Sequence, residues 1–365
     1  MTPSNLHHRF DRPDLVQKYE KRRIERADID ALHPLHWGYA FDEVMQQRGG
    51  FDIVRYDVTT GGVTASLAAG TASGDGVGSD TFTNIEGVFG SIHNDLLVGG
   101  NTLNGANYTT DASKLEVFRG GAGNDTIDGG DGFDRADYSS STAAINVSLQ
   151  DGVAYSDGLG GQDTLIGIES IRGSDFDDYL EGSDQDQVAN NGYFEAFEGR
   201  KGNDTIDGRG GVDVLQYTTA RQGVHVSMLT GLATQDGYGG TDTFSNIEVV
   251  AGSTFGDTLI GGAVGSRLEG RDGNDHLTGS NDAGTTDRLF GGNGDDTLIG
   301  LAGNDTMEGG AGNDSVSGGD GNDTITAADG NDTIDGGAGN ERMNGGAGND
   351  LMLGGAGNDV FIEGN

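Results

Sequence analysis

From Gly291 to Ile362 the chain repeats one nine-residue phrase eight times without a break, as in "GGNGDDTLI", "GGAGNDSVS" and "AADGNDTID". A fixed short period is the mark of a solenoid, because each unit is too small to bury an apolar face alone. The eighth position is apolar throughout: Leu298, Met307, Val316, Ile325, Ile334, Met343, Met352 and Phe361. The glycines permit positive φ, so about six residues of each phrase form a turn. The other three are extended and send one side chain inward. Two phrases then make a coil of 18 residues, and residues 18 apart stack. That stacking places Asp296, Asp314, Asp332 and Asp350 along one edge, and Asp305, Asp323, Glu341 and Asp359 along the other.

Carboxylates stacked at the strand spacing of about 4.8 Å repel one another. A cation has to neutralise them. Carboxylate and turn-carbonyl oxygens at this spacing suit Ca²⁺, which takes six to eight oxygen ligands, whereas Mg²⁺ demands a smaller octahedron and holds its waters. The carbonyls expected to take part lie near Gly292, Gly294, Gly303, Gly310, Gly312, Gly319, Gly321, Gly330, Gly337, Gly339, Gly346 and Gly348. The ion takes the place of the hydrophobic core that the chain lacks.

The stretch resembles the RTX, or haemolysin-type, calcium-binding repeats. The resemblance is strong over 252–362 and extends to "GGAGNDTIDGGDGFDRAD" (120–137) and "GRKGNDTIDGRGGVDVLQ" (199–216). It implies an all-β fold, a right-handed parallel β-roll or β-solenoid, with several Ca²⁺ ions between neighbouring turns. It adds Asp125, Asp134, Asp204, Asp213, Asp257 and Asp275 to the expected ligands, with carbonyls near Gly121 and Gly123. It also implies type I secretion and folding in external calcium. The pattern departs at Ala327 and Ala328, at Glu341, and at Ser266, where calcium sites are expected to be weaker.

Composition divides the chain. The net charge is −38, yet residues 1–50 hold eight bases and eight acids, so 51–365 carry the whole excess. All three prolines, the one Trp and four of seven His precede residue 51, and 66 of 69 Gly follow it. A segment of 315 residues without proline suits backbone ladders that use every N–H. So acidic a surface does not grip phosphates, which excludes nucleic-acid partners. The absence of cysteine excludes disulfides and thiolate metal sites. No apolar run is long enough for a membrane span, and no N-terminal signal sequence is expected.

Residues 51–260 contain three units of about 80 residues. They open on "FDIVRY", "FDRADY" and "VDVLQY" and continue through the alternating "VTASL", "INVSL" and "VHVSM", which read as strands. Asp80, Asp163 and Asp242 follow a glycine-rich turn in each and are candidate calcium ligands or turn caps. Glu86, Glu169 and Glu248 read as surface or ladder residues. Insertions at 101–116, 183–198 and 279–290 should protrude from single coils. The division is therefore 1–50, a helical cap or docking segment with a helix over 13–32; 51–260, three long solenoid repeats; and 261–365, the nonapeptide roll.

No H-E-x-x-H zinc protease motif, G-x-S-x-G elbow or Walker A pattern occurs. The expectation is a non-enzymatic, extracellular or cell-surface calcium-binding protein with a structural, adhesive or surface-assembly role. The alternatives are a polysaccharide-binding accessory resembling the repeat modules of alginate epimerases, or part of a larger RTX enzyme or adhesin. Possible partners beyond calcium are a cell-surface protein or a polysaccharide.

Overall fold

The computed structural model describes residues 52–100, 115–184 and 195–362. The expected helix and cap over 1–50, and most of the first two insertions, lie outside these residues. Among the described residues every regular element is a strand. The chain is an all-β parallel roll made of two sheets that it enters alternately.

The first sheet holds fourteen strands, from Ile53–Arg55 to Val360–Ile362, and every pairing in it is parallel. Over the nonapeptides the register is 18 residues in both sheets. Met307 lies beside Ile325 in one, and Leu298 beside Val316 in the other. Each phrase therefore supplies one strand, and alternate phrases supply alternate sheets.

The second sheet differs from the reading of the long repeats as wider coils. Each long repeat folds there into a three-stranded antiparallel meander: Val63–Ser66, Thr71–Gly74 and Gly78–Thr81; Asn146–Ser148, Val153–Ser156 and Asp163–Ile166; His225–Ser227, Leu232–Gln235 and Asp242–Ser245. The first reversal of each is a tight turn, at Gly70, Gly152 and Gly231, with φ of 62°, 65° and 65°, a region that glycine enters without steric cost. In the second repeat the last strand joins the preceding coil (Leu165 beside Ile127), and the first joins the following one (Val147 beside Leu180). The third repeat does the same (Phe244 beside Ile206, Val226 beside Leu259). Alternation marks these segments as strands but carries no information on their direction.

Each phrase gives the core one side chain in the nonapeptide region. Leu289, Met307, Ile325 and Met343 form a buried file on one sheet, and Leu277, Leu298, Val316 and Ile334 a second file on the other. One such side chain contributes about 1.5–3 kcal/mol, while each ordered backbone residue costs about 1–2 kcal/mol. Apolar burial alone does not hold nine residues in place.

The fourth glycine of the phrase sets the coil spacing. A Cβ on Gly312, Gly321 or Gly330 would lie 1.5–2.0 Å from the carbonyl oxygen of the equivalent glycine one coil earlier, and their φ values are 143°, 145° and 154°. The second position is more tolerant, since Ala328 stands there at a φ of 86°. Gly321→Ala should therefore cost more than the roughly 1–3 kcal/mol of the dihedral alone. Ala328→Gly should leave stability within about 1 kcal/mol. Denaturant unfolding in saturating Ca²⁺ measures both, and equal costs would refute the assignment of the fourth glycine as the spacing residue.

Candidate metal centre

The sixth residue of each phrase has its two carboxylate oxygens in different surroundings. Oδ1 accepts the backbone N–H of the sixth residue one coil back. Asp275 N donates to Asp296 (2.8 Å), Asp296 N to Asp314 (2.9 Å), Asp314 N to Asp332 (2.8 Å) and Asp332 N to Asp350 (3.1 Å). On the opposite edge Asp287 N donates to Asp305 and Asp305 N to Asp323, both at 2.8 Å. These bonds turn the aspartates into two columns running along the roll.

Oδ2 points back over its own turn. An added Cβ on Gly291 would lie 2.3 Å from Asp296 Oδ2 and 2.5 Å from the Gly309 carbonyl oxygen. In Asp125, Asp204, Asp213, Asp275, Asp296, Asp305, Asp314, Asp323 and Asp332 this oxygen is buried and has no hydrogen-bond partner, and in Asp134 neither oxygen has one. Buried carboxylates without donors resist ionisation. Burial first, and then neighbouring carboxylates, push Asp296 up to about 7, Asp275 and Asp125 to about 8 and Asp134 to about 10. Asp204 and Asp213 are pushed to about 9 by burial and by adjacent acids, among them Asp242 and Glu195 respectively.

Such oxygens fit a hard divalent cation. Among the described residues no three His, Asp or Glu side chains converge as a metal cluster, so the ligand set has to include backbone carbonyls. The turns supply them: the Gly292 and Gly294 carbonyl oxygens lie 1.9 and 2.0 Å from where Cβ atoms of Gly310 and Gly312 would stand. An all-oxygen set of bare carboxylates and carbonyls suits Ca²⁺.

A family model of the RTX calcium-binding nonapeptide repeat, in four copies, matches residues 116–136, 163–186, 191–216, 251–286, 283–316, 308–340, 317–352 and 335–362, about half of the chain. The chain belongs to this family. No curated protein matches it. The RTX repeats assign calcium as the ion that the bare oxygens fit.

Several expected ligands have other work in this RTX roll. Both oxygens of Asp257 are engaged, by Val224 N, Ser253 N and Ser253 Oγ at 2.6–2.8 Å. In that turn the backbone N–H of the serine at the second position occupies Oδ2 and its hydroxyl adds a bond to Oδ1, and Asp95 and Asp178 are held in the same way. Asp163 accepts Asp125 N and Tyr138 Oη, both at 3.0 Å, and Asp242 accepts Asp204 N and Tyr217 Oη, both at 3.1 Å. They extend the column rather than leave an oxygen free. Asp80 is half-buried on the strand Gly78–Thr81. Asp350 and Asp359 receive the bonds of the last coil, from Asp332 N and Glu341 N. Ser266 Oγ bonds only within its own turn, to Gly262 N and the Val264 carbonyl, and Ser266 N donates to Asp287.

Other column members carry no nonapeptide signature. Glu86, Glu169 and Glu248 accept the N–H of Asp52, Asp134 and Asp213 at 2.8–3.0 Å, so the ladder reading was the correct one. Glu116, Glu195 and Asp287 accept Gly100 N, Ser183 N and Ser280 N at 2.7 Å and close the bases of the three insertions. Glu341, despite its extra methylene, keeps two buried oxygens without partners. Outside the aspartates run asparagine columns, in which Asn313 accepts Asn331 N (3.0 Å) and Asn331 accepts Asn349 N (3.1 Å). The legible signal for the glutamates is phase: each stands two places before the buried apolar residue of a first-sheet strand.

The elevated carboxyl values fix a pH response for the metal-free chain. Folding raises these groups above the ordinary 3.8, so the folded state binds more protons. The stabilising effect of protonation is full below about pH 4 and is lost as pH rises through about 7–10, where these groups titrate in the fold. In chelator, strand content should grow as pH falls from about 8 to about 5. Circular dichroism tests this, and a signal flat across that range would contradict it. Asp314→Asn keeps the Oδ1 acceptor and removes the bare charge. It should favour the fold in chelator yet raise the calcium midpoint of folding, a reversal that a purely structural aspartate would not give.

Proposed function

We propose that this RTX protein is a calcium-triggered folding module that works outside the cell, with a structural, adhesive or surface-assembly role and no catalytic activity of its own. One observation supports it above the others: a buried, partnerless carboxylate oxygen recurs along both edges of the roll. Without cations these oxygens oppose folding; with them they become the contacts between coils. At a Kd of about 0.1 mM and about 1 mM external Ca²⁺, each site adds roughly 1.4 kcal/mol. Six to ten coupled sites would supply on the order of 8–14 kcal/mol, the stability of a whole domain. At cytosolic calcium the same sites would supply almost nothing. A chain that stays open inside and becomes a stiff roll outside suits export through a type I channel.

The lack of catalysis rests on where the acids are. The paired carboxylates that could serve a glycosidase stand in the turns, where a bound cation would hold them ionised. Far-UV circular dichroism during a Ca²⁺ titration, with Mg²⁺ as control, should show a cooperative coil-to-strand transition with Ca²⁺ alone. A chain already folded in chelator at neutral pH would overturn the proposal.

A further inference from the structure

Two aspartates outside the matched segments, Asp157 and Asp236, have an arrangement that turn formation does not explain. Asp157 Oδ1 accepts three N–H groups, from Leu159 (2.7 Å), Gly160 (2.8 Å) and Gly161 (2.8 Å). Its Oδ2 has no partner, and the residue is 0% exposed. Asp236 is the same: Tyr238 N and Gly239 N at 2.7 Å and Gly240 N at 2.8 Å bind Oδ1, Oδ2 is bare, and exposure is 0%. Capping these turns requires one acceptor oxygen, which asparagine would provide without burying a charge. The second oxygen is therefore unexplained by the turn.

That oxygen faces others. A Cβ on Gly161 would lie 2.8 Å from Asp157 Oδ2 and 1.7 Å from the Gly123 carbonyl oxygen; on Gly240 it would lie 2.7 Å from Asp236 Oδ2 and 1.8 Å from the Gly202 carbonyl oxygen. In both places the missing side chain lets a carboxylate oxygen and a carbonyl oxygen approach the same point. The carboxylates of Asp125 and Asp204, each with its own bare Oδ2, are close enough to feel Asp157 and Asp236 respectively. Asp163 and Asp242 stand alongside, tied to Tyr138 and Tyr217.

We propose that Asp157, Asp125 and the Gly123 carbonyl, and likewise Asp236, Asp204 and the Gly202 carbonyl, form two equivalent sites for a divalent cation of the calcium class. These differ from sites between successive nonapeptides, because one carboxylate comes from the last turn of the antiparallel meander. Two buried carboxylates facing an oxygen-lined space are matched by one divalent ion. The ion would tie the meander to the nonapeptide coil before it, at the points where the parallel ladder is interrupted. The first long repeat is a built-in control. Its turn "DGVGSD" spaces Asp75 and Asp80 five apart where the other two repeats have six, and Asp75 is exposed. It forms no such site.

The inference rests on the calcium-folding reading, and ion counting separates the two. Equilibrium dialysis of the full chain against Ca²⁺, with circular dichroism to confirm folding, should show one ion fewer in Asp157→Asn and one fewer in Asp236→Asn. The double variant should lose two, and Asp75→Asn none. Asparagine keeps the three N–H bonds to Oδ1, so the turn survives while the ligand is lost. Full counts in the folded double variant would overturn the two sites and leave the calcium reading intact; a wild-type chain that binds no Ca²⁺ would overturn both. If the substituted chains do not fold, Tb³⁺ luminescence excited through tyrosine decides. Tyr138→Phe with Tyr217→Phe should lose a large share of the emission, and unchanged emission would refute the sites.

Discussion

The burial of stacked carboxylates, with repulsion between neighbours adding to it, governs this molecule. The Oδ1 ladder brings successive aspartates one strand spacing apart and supplies each with a single backbone donor. The other oxygen is left dry and bare. The arrangement is unfavourable by itself, and the core from Leu277 to Met343 offers one apolar side chain per phrase against it. Stability therefore depends on the solution as much as on the sequence. On the proposed reading, protons or calcium ions convert the same columns from a destabilising feature into a contact between coils.

The coil is also strict about geometry. The glycine at the fourth position lies so close to its equivalent in the neighbouring turn that no side chain fits. The second position admits Ala328. The phrase is thus a set of unequal constraints: one position excludes all side chains, one accepts an N–H while leaving an oxygen for metal, and one fills the core. The third position is less constrained and takes Asn, Ala or Asp, while the fifth is held to Asn or Asp by the outer columns.

Much of this was legible in the sequence because period and chemistry coincide there. The stacking of Asp296 on Asp314 and of Leu298 on Val316 follows from a period of nine and two phrases per coil. The long repeats were legible only in part. "INVSL" reads as a strand, but no side chain in it encodes that Asn146–Ser148 joins the following coil while Asp163–Ile166 joins the preceding one. The surroundings of Asp257 were illegible for a related reason. Its spacing fits the ligand pattern, while the N–H that occupies its Oδ2, that of Ser253, lies four positions earlier. Asp157 and Asp236 were missed because a short Asp-Gly turn looks the same whether its second oxygen meets solvent or a carbonyl from another coil.

The acids that close the insertions have a consequence for how such a chain can change. Glu116, Glu195 and Asp287 each bind the backbone at the point where an insertion departs, and all three insertions leave the second sheet for the first, on one edge of the roll. Past that clamp the coil is indifferent to how much chain lies outside it, since the entropy of closing a loop grows only with the logarithm of its length. The edge behaves as a row of sockets. New segments can be accepted, lengthened or exchanged there, while the register of every coil before and after stays as it was.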